Sequence, residues 1–215
     1  IIFPSSHCFS CNKNIPVYNN IPLLSYFLLK GKCFFCKSEF PSRYAFVELI
    51  SGLFTIIIYL IFDFSHSFFM YSILTYLLIA VTFVDIDHFI IPNGFIIFGL
   101  SVLFLGVFGN FLSINWEESM SGSFVFAGFL FSIGLIGQFI LKKESIGFGD
   151  VKLGLILGGF LGVEYSVLAL YLSFAISALV VIIFLNRSFK KGNNKIPFGP
   201  YLAAGTLISL FTIDP

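Results

Sequence analysis

Charged residues are scarce in this chain of 215 residues: only 11% are Asp, Glu, Lys or Arg, and the formal net charge is +1. Apolar residues make up 58% of the chain, 31 residues are Phe, and the mean hydropathy is +0.99. A soluble globule of this length needs more polar surface than these residues supply. The composition therefore excludes an ordinary soluble domain and predicts a membrane protein.

A cleavable signal peptide is also lacking, because no basic start is followed by a short apolar segment and a small-residue cleavage site. The sequence opens instead at Ile1-Ile2-Phe3-Pro4, which resembles the end of a preceding segment. We expect an eighth membrane helix upstream of these residues. No repeat, low-complexity tract or long linker interrupts the rest of the sequence.

The polar, turn-rich part of the sequence is confined to residues 1–43, which contain all four cysteines. We predict a small domain outside the bilayer here and a helical membrane domain over 44–215. A helix needs ~20 residues to cross about 30 Å of hydrocarbon, and backbone groups in lipid must be bonded internally. The fold is therefore predicted to be all-α, with about seven crossings. The apolar runs lie at roughly 44–62, 68–84, 90–112, 122–141, 151–163, 166–186 and 197–213.

The basic residues predict the orientation of these crossings. All 12 fall on one side of the membrane if the cysteine domain is cytoplasmic and each run crosses once. The opposite side then receives acidic residues and no Lys or Arg, as the positive-inside rule requires. We therefore predict that the cysteine domain faces the cytoplasm.

Two acidic segments fall on the same predicted side, Asp85-Ile-Asp87 at the end of the second run and Asp150 at the start of the fifth. A charge at the edge of the bilayer core is costly and marks a candidate functional site. Gly147 and Gly149 leave room for another backbone beside Asp150. If Asp85 and Asp150 meet, they can share a proton, one acting as base on water and the other as acid on a carbonyl oxygen.

A structural interpretation of these acids stays open, in which they are interfacial residues solvated by lipid headgroups or caps of helix N-termini. That interpretation is preferred for Asp87, which is the outer acid and precedes His88. Glu48, about one turn inside the first run, could pair with Arg43 or take part in catalysis.

The four cysteines form two C-x-x-C pairs, Cys8 with Cys11 and Cys33 with Cys36, separated by 21 residues. This spacing is typical of a structural zinc site that folds a domain too small for a core of its own. The reduced cytoplasm argues against disulfides, although paired disulfides or an iron–sulfur site stay open. His7 could replace a cysteine ligand.

Four ordered motifs together resemble the type IV prepilin peptidases, which are bacterial inner-membrane aspartyl proteases of the GxGD type. The resemblance covers nearly the whole chain and implies that Asp85 and Asp150 are catalytic. Supporting residues are predicted at Gly147, Gly149, Lys152, Asp87 and Glu48. The motifs are the paired cysteines ending in Pro41-Ser-Arg-Tyr44-Ala-Phe-Val-Glu48-Leu, then Asp85-Ile-Asp87-His-Phe-Ile-Ile-Pro92, Gly147-Phe-Gly149-Asp150-Val-Lys152-Leu and Pro197-Phe-Gly-Pro200-Tyr-Leu-Ala.

The resemblance also implies the substrate. Such enzymes cut the basic leader from prepilins and pseudopilins of pilus or secretion systems at the cytoplasmic face, and many then methylate the new N-terminal residue with S-adenosylmethionine. The cysteine domain favours this bifunctional form, but no S-adenosylmethionine motif is recognisable. Asn93 departs from the family, which usually has Asp there. The expected partners are prepilins or pseudopilins and the lipid bilayer, with no nucleic acid.

Two other classes of function stay open. A cation transporter with a zinc-sensing domain would use Asp85, Asp87 and Asp150 as ligands near the bilayer midplane, whereas the predicted topology places them at one face. A non-catalytic assembly factor of a pilus or secretion system would retain the fold. The intact acids at both positions count against it.

Overall fold

The structure is a computed structural model that describes residues 6–142, 146–188 and 196–213, with only the backbone described at 141 and 184–188. Over these ranges the chain is helical and contains no strand, only two isolated β-bridges. The prediction of an all-α fold is therefore confirmed.

The helices follow the predicted apolar runs in order. A 3-10 turn at Val17–Asn20 precedes the short helix α1 (Leu24–Leu28). The six longer helices are α2 (Ser42–Phe62), α3 (His66–His88), α4 (Asn93–Phe108), α5 (Trp116–Leu141), α6 (Phe148–Ser188) and α7 (Gly199–Leu210).

Four helices of the described part of the chain are long and apolar enough to cross a membrane: α2, α3, α5 and α6. The protein is therefore a membrane protein, as predicted. Helix α4 is apolar but has 16 residues, and α7 has 12. The number of seven crossings stays a prediction.

The predicted fifth and sixth runs are two parts of one element, α6. The helix departs from helical geometry at Gly162, where φ is 70° and ψ is −174°. A side chain would strain the backbone at this positive φ, so glycine permits the break. The Ser166 hydroxyl donates a hydrogen bond to the Gly162 carbonyl just beyond it. The two runs are thus joined by a kink, with no loop between them.

The chain divides into two compact units, residues 1–56 and 57–215. The division falls within α2. The predicted domain boundary after residue 43 stays a prediction.

In the second unit, the backbones of α5 and α6 approach each other closely. A side chain at Gly122 would meet the carbonyl oxygen of Gly158, and a side chain at Gly158 would meet that of Gly122. Ser119 and Ser123 of α5 donate hydrogen bonds of 2.9 and 2.8 Å to carbonyl oxygens of α6. Small residues therefore bring the two helices together, as is common in membrane bundles. This packing fixes the position of α6, which carries Asp150.

Candidate active site

Asp85 lies in the last turn of α3 and is only 5% exposed. Its Oδ2 accepts a 2.8 Å hydrogen bond from the backbone N–H of Gly199, the first residue of α7. A Cβ at Gly199 would lie 2.7 Å from that oxygen. The close approach of α7 to the carboxyl group therefore requires glycine at this position.

The chain is turned sharply just after Asp85. Phe89 ends α3 in the left-handed conformation, with φ 56°, and its N–H bonds to the Asp85 carbonyl oxygen. Pro92 then starts α4 from an extended conformation. Proline suits this N-cap because its ring fixes φ near the observed −61°. The segment from Phe89 to Pro92 is thereby held beside Asp85.

Asp150 lies in the first turn of α6 and is 8% exposed. Its Oδ2 accepts a 3.2 Å hydrogen bond from the backbone N–H of Gly147, three residues earlier. The carboxyl group therefore caps the start of its own helix, in the manner of the acid of a capping box. Asp150 therefore caps a helix N-terminus, which is one of the two structural roles considered from the sequence. Its side chain is buried, however, so the other role, an acid solvated by headgroups, does not describe it.

The structure brings the carboxyl groups of Asp85 and Asp150 close enough for their charges to interact. Neither forms an ion pair with a basic side chain in the described ranges. Carboxyl groups are seldom buried without a cationic partner, and such groups cluster at functional sites. The charge interaction indicates that the two acids lie near each other in the second unit, and their catalytic role stays a prediction.

The glycines of the Gly147-Phe-Gly149-Asp150 motif serve different contacts. Among the described residues, a Cβ at Gly147 would have only the Asp150 Oδ2 atom within 4 Å, at 3.3 Å. A Cβ at Gly149 would lie 3.2 Å from the Cβ of Ile91. Gly147 therefore leaves room between the described residues and the acid, and Gly149 lets the segment after α3 approach the start of α6.

Lys152 connects the two segments that carry the acids. Its Nζ donates a 3.0 Å hydrogen bond to Oδ1 of Asn93, the first residue of α4, and lies 5.1 Å from the centre of the Phe148 ring. The bond joins α6 to the element that follows Asp85. Asn93, whose role the sequence leaves in doubt, therefore has a defined partner.

The remaining predicted supporting residues are Asp87, in the last turn of α3, and Glu48, in the other unit. Asp87 is exposed, in agreement with the interpretation preferred for it. Glu48 belongs to the unit 1–56, where its Oε2 accepts a 2.8 Å hydrogen bond from the backbone N–H of Leu23. Sequence reasoning missed the contact that Gly199 makes with Asp85. The available signal was a glycine beside Pro200 at the start of an apolar run.

The four cysteines converge as predicted. The Sγ atoms of Cys8, Cys11, Cys33 and Cys36 all lie within 4.8 Å of one another, and no disulfide joins them. Each pair sits in the same kind of turn, because the residue after it, Asn12 or Lys37, has a positive φ. Zn–S bonds of about 2.3 Å in a tetrahedron need sulfur atoms at about this separation. The donor set therefore fits a zinc ion.

The electrostatics of the cysteines also fit a metal. Hydrogen bonds, first to the backbone of Cys11, lower the pKa of Cys8 to about 6. The pKa of Cys36 is lowered by hydrogen bonds from Ser38. A backbone hydrogen bond at Lys13 lowers the pKa of Cys11. Desolvation and hydrogen bonds with the other three cysteines together outweigh it and raise the pKa to about 11. A divalent cation would offset the repulsion among these thiolates.

Comparison with known proteins places the chain in a family. The description "Type IV leader peptidase family" matches residues 72–183, and "Bacterial Peptidase A24 N-terminal domain" matches residues 1–62. A prepilin leader peptidase/N-methyltransferase of Stutzerimonas stutzeri is 33% identical over 218 residues, which cover the whole of this chain and 74% of the relative. The chain belongs to the type IV leader peptidase family.

Other members of the family agree. The enzyme of the same name from Pseudomonas aeruginosa is 32% identical over the whole chain and 73% of its own length. An Escherichia coli relative, a type 4 prepilin-like proteins leader peptide-processing enzyme, is 31% identical over 98% of this chain and 77% of its own length. No solved structure matches the chain. The resemblance recognised in the motifs, and the prediction of a peptidase, are confirmed.

Proposed function

We propose that this family member is a membrane aspartyl endopeptidase that removes the basic leader from prepilins and pseudopilins, with Asp85 and Asp150 as the catalytic residues. One observation carries the proposal: two buried carboxyl groups, brought together from α3 and α6, have charges that interact and no basic partner in the described ranges. The family membership and the names of the relatives support the same substrate class.

The mechanism follows from two acids that hold one proton between them. One carboxylate takes a proton from a water molecule as the water oxygen attacks the scissile carbonyl carbon. The other, protonated, donates its proton to the carbonyl oxygen. When the tetrahedral intermediate collapses, one of its hydroxyl groups returns a proton to the second carboxylate and the C–N bond breaks. The leaving amine takes the proton that the first carboxyl group received from the water. General acid and base catalysis of this kind each contribute typically about 10²–10⁴-fold.

The hydrogen bonds to glycine prepare both acids for these roles. Gly199 and Gly147 each donate a backbone N–H to the Oδ2 atom of one acid. The Oδ1 atom of each acid is thereby left to bind the water or the shared proton. Such fixed donors hold the carboxyl groups in place before the substrate arrives, which lowers the cost of organising the reaction.

The substrate enters, in this proposal, beside Gly147 and from the cytoplasmic face of the inner membrane. An extended peptide can approach the acids there, because a position without a side chain leaves room for another backbone. The basic leader stays on the side of the membrane where the Lys and Arg residues of this protein lie, and the apolar stem remains in the bilayer.

The cysteine domain has a structural part in this proposal. Cys8, Cys11, Cys33 and Cys36 would hold a zinc ion that links the two knuckles, in a unit of the chain with few buried apolar residues. The protein would also methylate the new N-terminal residue, as the names of the relatives suggest. S-adenosylmethionine, when bound, would supply the methyl group.

The test is cleavage of a prepilin by Asp85→Asn and Asp150→Asn, each measured separately. Both substitutions keep the size of the side chain and remove the acid, so we expect a loss of about 10³-fold or more in kcat. Asp63→Asn is the matched control, because Asp63 is exposed and its positive φ suits asparagine. Full cleavage by either variant would remove that residue from the mechanism.

A further inference from the structure

The outer face of the short helix α1 is apolar. Leu24, Phe27 and Leu28 lie on one side of the helix and are 52%, 70% and 73% exposed. The more polar residues between them, Ser25 and Tyr26, are half-buried and line a cleft inside the unit. A domain surrounded by water usually turns its helices the other way, with the apolar side inward. The exposed face of α1 therefore calls for an apolar environment.

Helix α1 is fixed to the first turns of α2. The backbone N–H of Leu23, just before α1, donates a 2.8 Å hydrogen bond to Oε2 of Glu48. Leu23 and Phe27 also line one groove together with Phe46 and Leu49 of α2. All of these residues belong to the first of the two units. The position of α1 relative to the bilayer is therefore determined by that of α2.

The length of α2 determines its depth in the bilayer. Its 21 residues rise by about 31 Å, and the hydrocarbon core of a bilayer is about 30 Å thick. A crossing by α2 therefore leaves no full turn outside the bilayer, and a tilt would use more of the helix. Glu48 lies about 9 Å along the helix axis from Ser42, the first residue of α2. Helices of the membrane interface lie at a depth of about 5–10 Å, so the bond to Glu48 holds α1 at that level.

The exposed face of α1 is continuous with an exposed stripe of α2. Phe46, Leu49, Leu53 and Ile56 follow one another at helical spacing, and each is more than half exposed. On a helix that crosses a membrane, such a stripe contacts lipid. Phe27 lines the same groove as Phe46 and Leu49. The apolar surface therefore extends from α2 onto α1.

The charges of this unit suit an anionic membrane surface. Residues 1–38 contain four lysines and no acidic residue. Lys30 comes two residues after the end of α1 and is exposed. A lysine stem can lie along apolar surface while its ammonium group reaches lipid phosphates, and anionic lipids attract clustered lysines. Lys30 is therefore well placed to contact the headgroups.

We propose that α1 lies in the boundary between headgroups and acyl chains, in the leaflet on the side of the cysteine domain. Leu24, Phe27 and Leu28 contact acyl chains, and Lys30 contacts the phosphates of anionic lipids. The domain predicted over residues 1–43 thus rests on the membrane through α1. The inference goes beyond the proposed function, because none of these residues takes part in the proteolytic mechanism.

A protein surface is the competing occupant, because it too would cover apolar side chains. The depth of α1 counts against it. The exposed stripe of α2 begins at the same level and has the same need for an apolar environment. Lipid satisfies both faces at once, whereas a protein partner would have to enter the interface to reach α1.

The experiment measures the environment of a tryptophan at position 27 in the full chain, in vesicles of phosphatidylcholine and phosphatidylglycerol. The chain has one tryptophan, so Phe27→Trp combined with Trp116→Phe reports on position 27 alone. Phospholipids brominated near the carbonyl end of the acyl chain should quench its fluorescence about 2-fold or more, and those brominated near the methyl end less. Aqueous iodide should quench it weakly.

Two matched variants in the same background calibrate the measurement. Leu53→Trp, in the middle of α2, should be quenched by lipid brominated near the methyl end. Phe9→Trp, beside Cys8 and 80% exposed, should be quenched by iodide. Quenching of Phe27→Trp by iodide and not by brominated lipid would place α1 in water. Quenching by neither would place a protein surface over it, and either result would overturn the inference.

Photolabelling of the unaltered protein keeps the inference testable if a variant folds poorly. A phospholipid that carries a diazirine near the carbonyl end of its acyl chain should label the tryptic peptide 14–30, which contains α1 and no part of α2. The peptide 33–37, from the second cysteine pair, is the internal control and should carry much less label. An unlabelled peptide 14–30 beside labelled peptides of α2 would refute the insertion of α1.

The lipid composition tests the part assigned to Lys30. Quenching of the position-27 tryptophan by brominated lipid should fall when phosphatidylcholine replaces phosphatidylglycerol, and Lys30→Gln should reduce that difference. Lys37→Gln is the matched control, because the Lys37 ammonium group lies 5.7 Å from the centre of the Phe34 ring. An equal dependence on phosphatidylglycerol with and without Lys30 would refute its contact with the headgroups.

Discussion

Replacing Gly199 with alanine should impair catalysis through Asp85 while leaving the protein folded. The new Cβ would lie 2.7 Å from Oδ2 and 3.2 Å from the carboxyl carbon of Asp85. Either the carboxyl group or the start of α7 must move, and the 2.8 Å hydrogen bond between them is lost or lengthened. A hydrogen bond to a charged group is worth about 1.5–3 kcal/mol. Loss of that amount from the transition state slows the reaction roughly 10- to 150-fold.

The assay is steady-state cleavage of a prepilin, with kcat and KM measured separately and the unfolding temperature recorded alongside. We expect kcat to fall by the factor above and KM to stay the same, because the proposed role of Gly199 is to orient an acid. Gly128→Ala is the matched control, since a Cβ at Gly128 in α5 would meet no described atom within 4 Å. An unchanged kcat in Gly199→Ala, or an equal fall in the control, would refute the role of Gly199 in positioning Asp85.

Three further predictions concern the contacts around this site and the cysteine domain. Lys152→Met and Asn93→Leu each remove the 3.0 Å bond between α6 and α4, and a double-mutant cycle on kcat/KM should give a coupling of about 1 kcal/mol; additive effects would show that the bond does not act in the enzyme. Elemental analysis of protein purified without added metal should find one zinc ion per chain, and Cys8→Ser should abolish it; four free thiols without metal would contradict the assignment. Gly158→Leu should lower the free energy of unfolding by about 2–4 kcal/mol, because its side chain would meet the Gly122 carbonyl, and an unchanged unfolding midpoint in denaturant would contradict the packing described.

The helices could be predicted from the sequence because hydropathy depends only on local composition. The runs at 44–62 and 68–84 correspond closely to α2 and α3. The sequence could not predict that the fifth and sixth runs form one helix. The break between them is a single residue with positive φ, Gly162, and no polar loop marks it in the sequence. Glu164, which the sequence places between two crossings, lies within α6.

The sequence predicts those parts of the candidate site that consist of characteristic side chains, but not those made by the backbone. Asp85, Asp150 and the four cysteines are residue types whose chemistry can be inferred from spacing and from the cost of burying charge. The donors to the two acids are backbone N–H groups, which every residue other than proline possesses. Their partners therefore depend on tertiary structure, and neither the Gly199 contact nor the pairing of Lys152 with Asn93 can be deduced from local sequence.

The hydrogen bond between Asp85 and Gly199 joins residues 114 positions apart. A ribosome that adds about 5–20 residues per second needs roughly 6–23 s to make the intervening chain. During that interval the first acid has already been synthesised, but the helix that orients it has not. The hydrogen bond that orients the Asp85 carboxyl group can therefore form only late in the synthesis of the chain.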